Sequence, residues 1–373
     1  MALGTPKSRR VRYEVGNLRE FCTEVFLLCG VPRVDAIEAA NVLSTADLWG
    51  ITSHGVARLR AYFELLREGR INPEPDIRIT RENAVTARID GGNGLGLVLG
   101  AKAIDIAVDK ARRSGMGWVS VANSNHFGIA GYYAARASEY DTIGCAMTNT
   151  SALVSPFDGI GRMLGTNPLA VAFPVAEGRP LIIDLATSAI SYGAVEKAAR
   201  RSVRLPTGVA LDRRGAGTRI AKEMQRGGSL LPLGGDHSHG GHKGYCLAAM
   251  IDIFCGVLSG ANWGPFVPPF LVEPQNEAGS KGAGLGHLFG AANVSCFLDP
   301  PEFKSRISEW MEYFRSCQPR SGKKAVMVPG DPERIAEAKH RKEGICLHQM
   351  VCADLNYVAE SVGIKFRWQP STS

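Results

Sequence analysis

Two short histidine segments carry the clearest chemical potential in the chain. Ser124-Asn125-His126-Phe127-Gly128 sits between a strand-like run and a helix-like one. Open α/β folds place reactive groups at the carboxyl ends of strands, which face a crevice. A histidine there can take or give a proton near neutral pH. Ser53-His54-Gly55 lies at a helix start, where exposed amides and the positive end of the helix dipole favour an anion. In both segments a capping Ser or Asn beside a structural histidine is the alternative reading.

Other groups are weaker alone. Asp184 ends a strand ahead of an expected helix. It can bond ribose hydroxyls, or it can cap the helix. Lys243, flanked by Gly241 and Gly244, opens another helix and can approach a phosphate as a point charge. Thr150 and Ser151 offer uncharged hydrogen-bond groups near a strand end. His237, His239 and His242 are types that suit a transition metal. They have no cysteine nearby and their glycine-rich spacing preorganises nothing, so a solvated loop is expected and no metal site.

The elements that must position these groups read as helices, then strand–helix alternation, then helices. Leu18, Phe21, Cys22, Val25, Phe26 and Cys29 recur at helical spacing. Helices are expected over 35–48 and after Gly55, with Val56, Leu59, Tyr62, Phe63 and Leu66 on one face. Strands are expected at 84–89, 116–121, 142–147, 169–173, 181–183 and 291–298. Helices are expected at 101–113, 129–140, 243–258, 301–315, 332–341 and 348–362. Residues 201–241 read as an irregular excursion, and 260–282 as a loop. This alternation argues for an α/β core. The expected division is a helical subdomain of 1–75 plus 300–373 around an α/β domain of 76–299.

The glycine run Gly91 to Gly96 fails as a dinucleotide loop. A G-x-G-x-x-G match from Gly92 meets Leu97, and one from Gly94 meets Leu99. A classical Rossmann domain is therefore unsupported. The +7 net charge and 45% hydrophobic content exclude a disordered chain. The basic residues are scattered, so no nucleic-acid groove is indicated. The tract Lys7, Arg9, Arg10 and Arg12 reads as a solvated tail. No apolar run reaches the roughly 20 residues of a membrane span. No secretory signal is evident, and the nine cysteines include no C-x-x-C pair. Buried free thiols in a reducing, cytoplasmic setting are the expectation.

In order, the segments Gly50–Gly55, Ser124–Gly128, Leu164–Pro168, Asp184–Ser188, Leu231–Gly235 and His242–Cys246 resemble the type-2 malate/L-lactate dehydrogenase family. The likeness runs from about Leu18 to Phe366. It implies an NAD- or NADP-dependent oxidoreductase on a non-Rossmann nicotinamide-binding α/β core, acting as a homodimer on a small 2-hydroxy or 2-keto acid such as malate or L-lactate. A cyclic-imine reductase on the same scaffold, or a non-catalytic cofactor-binding descendant, is the alternative. By this resemblance His126 is the general acid/base, and His54 matches a proton donor of some members. Thr150 or Ser151 falls at a substrate contact. Asp184, Leu185, Ala186, Lys243, His287, Leu288 and Phe289 match cofactor positions. Arg58, four residues after His54, is expected on the same helix face, with Ser53 nearby, to hold the substrate carboxylate. The chain departs from the family at His242, which replaces a tyrosine, and at Arg213–Arg219, which replaces an acidic stretch.

Overall fold

The structure, a computed structural model, describes residues 11–270 and 280–366. Lys7, Arg9 and Arg10 of the basic tract, and Pro274 of the expected loop, lie outside the described residues. The chain forms two compact units, 1–69 with 331–373, and 70–330. The divisions thus fall at 69/70 and 330/331, not at the expected 75/76 and 299/300.

The smaller unit begins with β1 (Arg12–Tyr13), α1 (Val15–Leu28), α2 (Arg33–Leu48) and α3 (Leu59–Arg67). Helix α1 buries Leu18, Phe21, Cys22, Val25 and Phe26, the periodic stripe of the sequence. Full burial of such a side chain contributes roughly 1.5–3 kcal/mol. Helix α2 meets its neighbours through small residues, Ala36, Ala39, Ala40 and Ala46. The segment carrying His54 is not helical. A turn leads into a 3₁₀ turn over Val56–Arg58 before α3 starts.

The larger unit opens with β2 (Arg78–Glu82), β3 (Thr86–Asp90), α4 (Gly96–Ser114), β4 (Met116–Ser124), α5 (Ala130–Ser138) and β5 (Thr142–Thr148). It continues with β6 (Leu169–Phe173), β7 (Leu181–Leu185), α6 (Tyr192–Arg201), β8 (Ala210–Leu211), α7 (Ala221–Gln225) and β9 (Ser229–Leu230). It ends with α8 (Gly241–Asp252), β10 (Leu285–Asn293) and α9 (Pro300–Arg315). Among the described residues the main sheet has the order β2-β3-β4-β10-β5-β6-β7. Strands β3 and β4 run parallel, and the other neighbours in it are antiparallel. The core is thus a mixed sheet with helices. Helix α9, assigned to the helical ends from sequence, lies in this unit.

The central strand corrects an expectation. The strand expected at 291–298 is β10, Leu285–Asn293, and the chain turns as a 3₁₀ segment at Val294–Cys296. Glycines concealed it. A Cβ at Gly286 would overlap the Cys255 carbonyl oxygen, and one at Gly290 would meet the Trp118 ring at 3.0 Å. Glycine inside a strand marks such close approaches.

The chain then returns to the smaller unit as α10 (Asp331–Glu343), β11 (Ile345–Cys346) and α11 (Gln349–Val362). Strand β11 pairs antiparallel with β1, joining the two chain ends. Imidazole Nδ1 of His340 lies 3.0 Å from the Leu48 carbonyl at the end of α2. His348 caps α11, its Nδ1 accepting the Met350 N–H. The nine cysteines are unpaired, but Cys246, Cys296 and Cys317 are exposed, against the expectation of burial.

Candidate active site

In the larger unit His126 stands just beyond the end of β4, half-buried. Its ring stacks on Phe270 with centroids 4.3 Å apart and planes 21° apart. The Gly128 N–H approaches its Nδ1 at 3.3 Å, a long hydrogen bond. Asn125 fixes the chain in front of it. Its amide donates to the carbonyls of Asn93 and Gly94 and to the Asn93 side chain. Gly96 completes this dock, since a Cβ there would overlap the Asn125 carbonyl oxygen. The glycine run therefore turns the chain with left-handed Gly92 and Asn93 and seats the His126 loop.

Strand β5 ends at Thr148, and the next residues reach the same neighbourhood. Ser151 Oγ donates to the Pro268 carbonyl and accepts the Phe270 N–H, at 3.1 and 3.2 Å. The hydroxyl expected to touch substrate thus anchors the strap that lays Phe270 over His126. Thr150 donates its N–H to Asn167 Oδ1, and its Oγ1 accepts the Thr166 N–H. Asn167 in turn donates to the Ala248 carbonyl of α8. Asn149, fully buried, donates to the Asn262 carbonyl at 2.7 Å and accepts the Gly286 N–H at 3.1 Å.

Asp184 is exposed near the end of β7, and Leu185 and Ala186 are half-buried. Asp184 Oδ2 accepts the Gly131 N–H at 2.8 Å. It therefore caps α5, directly after the His126 loop, and not the next helix, whose cap is Ser191. The following Thr187 bonds the carbonyls of Thr166 and Asn167, and its own carbonyl accepts the Leu233 N–H. Gly244 packs against Leu233, where a Cβ would overlap the carbonyl oxygen. Continuous contacts thus link the Asp184 segment to the first turn of α8. Lys243 is exposed in that turn, which holds no acidic residue.

His287, Leu288 and Phe289 lie in mid-β10, with relative exposures of 0%, 4% and 0%. The three side chains that the resemblance places at a cofactor are thus enclosed within the sheet and its covering residues. Burial pushes His287 down to about 3, with the Asn125 carbonyl opposing.

In the smaller unit, Ser53, His54 and Arg58 are brought together by the turn before α3. Ser53 Oγ lies 2.9 Å from His54 Nδ1, and Arg58 Nε donates to the Ser53 carbonyl at 2.7 Å. Burial, then the Arg58 charge, lowers His54 to about 4. Both causes disfavour the charged ring in this setting. Beneath the turn is Asp47, 1% exposed, whose Oδ2 accepts the Val56 N–H at 2.7 Å. Burial raises Asp47 to about 7, against that hydrogen bond.

Comparison with known proteins bears on what these groups do. A sequence model of the family described as malate/L-lactate dehydrogenase matches residues 13–356. The chain belongs to the malate/L-lactate dehydrogenase family. It is 41% identical to a malate dehydrogenase of Pyrococcus abyssi, over 95% of this chain and 96% of that one. It is 36% identical to an L-sulfolactate dehydrogenase of Methanocaldococcus jannaschii, over 93% and 96%. The crystal structure of a malate dehydrogenase from Entamoeba histolytica superposes with a TM-score of 0.90 at 33% identity, covering 96% of this chain and 99% of that one.

This member of the malate/L-lactate dehydrogenase family holds two site residues that sequence reasoning missed. Phe270 sits in a proline-rich loop with no local pattern to mark it. Asp47 is an acid on the buried side of α2, four residues after Leu43, and that misplaced charge is a usable signal. Two histidines of the cluster are paired with acids, and His242 lies in the first turn of α8 beside Lys243. His237 pairs with Asp158 and His239 with Asp236, all four side chains at least half exposed. Among the described residues no group of three or more potential ligands can hold a metal ion. No helix among them is long and apolar enough to cross a membrane.

Proposed function

We propose that this chain is an NAD- or NADP-dependent oxidoreductase of small 2-hydroxy acids and 2-keto acids, malate and L-lactate among them, with His126 as general acid/base. The observation that carries this reading is the placement of His126 at the open end of β4, half-buried beneath Phe270. Phe270 shields one face of the imidazole, which favours a drier setting for proton exchange. In the reducing direction the protonated ring gives its Nε2 proton to the carbonyl oxygen, and in the oxidising direction it takes the hydroxyl proton back. The long Gly128 contact at Nδ1 can yield when that nitrogen carries a proton.

The first turn of α8 fits a cofactor bearing phosphates. It packs against the loop through Gly241 and Gly244, it has no acidic residue, and Lys243 stands where the helix dipole alone disfavours a cation. Lys243, with Asp184, Leu185 and Ala186, would hold the cofactor, which when bound supplies or accepts the hydride. Arg58 would bind the substrate carboxylate, with Ser53, His54 and Thr150 donating or accepting hydrogen bonds to the substrate. We include the homodimer and a cytoplasmic setting in this reading, on the family resemblance.

The test is a panel of 2-hydroxy acids, 2-keto acids and cyclic imines, each with NAD(H) and NADP(H), followed by nicotinamide absorbance. His126→Ala is expected to lower kcat on the best substrate by roughly 10²–10⁴-fold with the fold intact. Near-normal turnover in that variant overturns the assignment, and turnover confined to cyclic imines overturns the substrate class.

A further inference from the structure

The ends of β4 and β5 carry His126 and Thr150, yet these strands are not neighbours. Strand β10 lies between them. Its pairing with β4 shifts register between Leu285 and His287, and such irregularities re-aim side chains beside active sites. From this position the His287 ring reaches both neighbours. Its Nδ1 is 2.7 Å from Thr148 Oγ1, the last residue of β5, and its Nε2 is 2.7 Å from Ser124 Oγ, the last of β4.

The neighbouring carbonyls favour one direction for these contacts. Thr148 Oγ1 also lies 2.8 Å from the Asn149 carbonyl and 3.0 Å from that of Gly286. Carbonyls only accept, so the single Thr148 proton goes to them, and Thr148 accepts from Nδ1–H. Nε2 then accepts the Ser124 hydroxyl. The opposite tautomer sends the Ser124 proton to the Asn125 carbonyl at 3.4 Å, a poorer bond. The ring is also held by its faces. Phe127, the residue after His126, stacks on it at 4.9 Å and 7°. The Phe127 carbonyl is fixed in turn by the Tyr133 hydroxyl at 2.5 Å.

We propose that His287 is a positioning residue: its buried ring cross-links the last residues of β4 and β5 through Ser124 and Thr148 and stacks on Phe127, so that His126 and Thr150 are set in one fixed relation. The role rests on the proposed proton exchange at His126. It is distinct from a cofactor contact, for which the enclosed ring offers no surface.

The test uses the full chain with its cofactor. His287→Phe keeps the stacking ring and removes both hydrogen bonds. It is expected to lower kcat about 10- to 100-fold, while the dissociation constant of the reduced cofactor, read by fluorescence, stays within about threefold. Weaker cofactor binding with kcat retained would show a cofactor contact and overturn the proposal. Backbone amide shifts of 125–128 and of 149–151 are expected to move together in His287→Phe. This readout holds even if His126 is not the proton carrier, a failure that His126→Ala reports separately. Movement of one segment alone overturns the cross-link. If His287→Phe does not fold, Ser124→Ala and Thr148→Val each cut one side of the link. Their losses in kcat are expected to be non-additive in the double variant, and strict additivity overturns the coupling.

Discussion

The two histidine turns solve the same mechanical problem with different chemistry. The turn at Ser53–Arg58 in the smaller unit is fixed from below by an ionisable group, the Asp47 carboxyl, on which Gly55 packs without room for a side chain. The turn at Asn125–Gly128 in the larger unit is fixed by groups that stay neutral: the Asn125 amide, the Gly91–Gly96 turn and, through Phe127, His287. Asp47 Oδ1 has no hydrogen-bond partner, whereas both nitrogens of His287 have one. A buried acceptor without a partner costs about 1–3 kcal/mol. The first turn is therefore sensitive to pH through its anchor, whereas the anchors of the second keep their charge state across the neutral range.

Steric probes should separate the two turns most sharply. Gly96→Ala drives a Cβ into the Asn125 carbonyl, a backbone atom held on both sides, whereas Gly55→Ala drives one into a side chain. Both should destabilise their own unit. The Gly96 variant should lose more, at least about 3 kcal/mol, read by denaturant unfolding with amide exchange to assign the unit. A milder loss for Gly96→Ala than for Gly55→Ala would mean that the His126 turn is the softer one.

A pH series on Asp47→Asn should have the next largest effect. Folded Asp47 keeps its proton up to about 7, while the unfolded chain releases it near 3.8. Stability from this group is therefore lost as pH rises between those values, by at most about 4 kcal/mol. His54 acts in the opposite sense. Its folded value of about 4 lies below 6.5, so its contribution is present above 6.5 and lost as pH falls toward 4. The two slopes largely cancel in the wild type. Asp47→Asn keeps an acceptor for the Val56 N–H and removes one slope, so its stability relative to wild type should improve steadily from pH 4 to 7 and then level. A difference independent of pH would remove Asp47 as the titrating anchor.

The contrast also explains what could be read from sequence. Helix α1 was legible because its partners lie on one face of a continuous stripe, and the place of His126 just past a strand because the run that ends at Ser124 reads as one. Strand β10 was not, because Gly286 and Gly290 answer to Cys255 and Trp118, which are distant in sequence. Asp184 was legible as a cap but not as the cap of α5, a helix 53 residues earlier. His287 was recognisable by family position, but its enclosure depends on register with two other strands. Phe270 owes its place to Ser151, 119 residues away, and no local spacing encodes that.

That last pair gives the finest test of the comparison. Ser151→Ala removes a donor to the Pro268 carbonyl and an acceptor for the Phe270 N–H, in a part-buried position. Two such bonds contribute about 1–3 kcal/mol together, and solvent reaching the strap recovers some of this. Global stability should fall by about 1 kcal/mol or less. The local consequence should exceed the global one. With the strap released, Phe270 no longer holds the plane of His126, and kcat should drop several-fold while KM changes little. If Ser151 instead binds substrate, KM must rise at least as much as kcat falls. Adding Phe270→Ala decides between them: once the stacking ring is gone, Ser151→Ala should have no further effect on kcat, whereas loss of a substrate contact would still be felt in full.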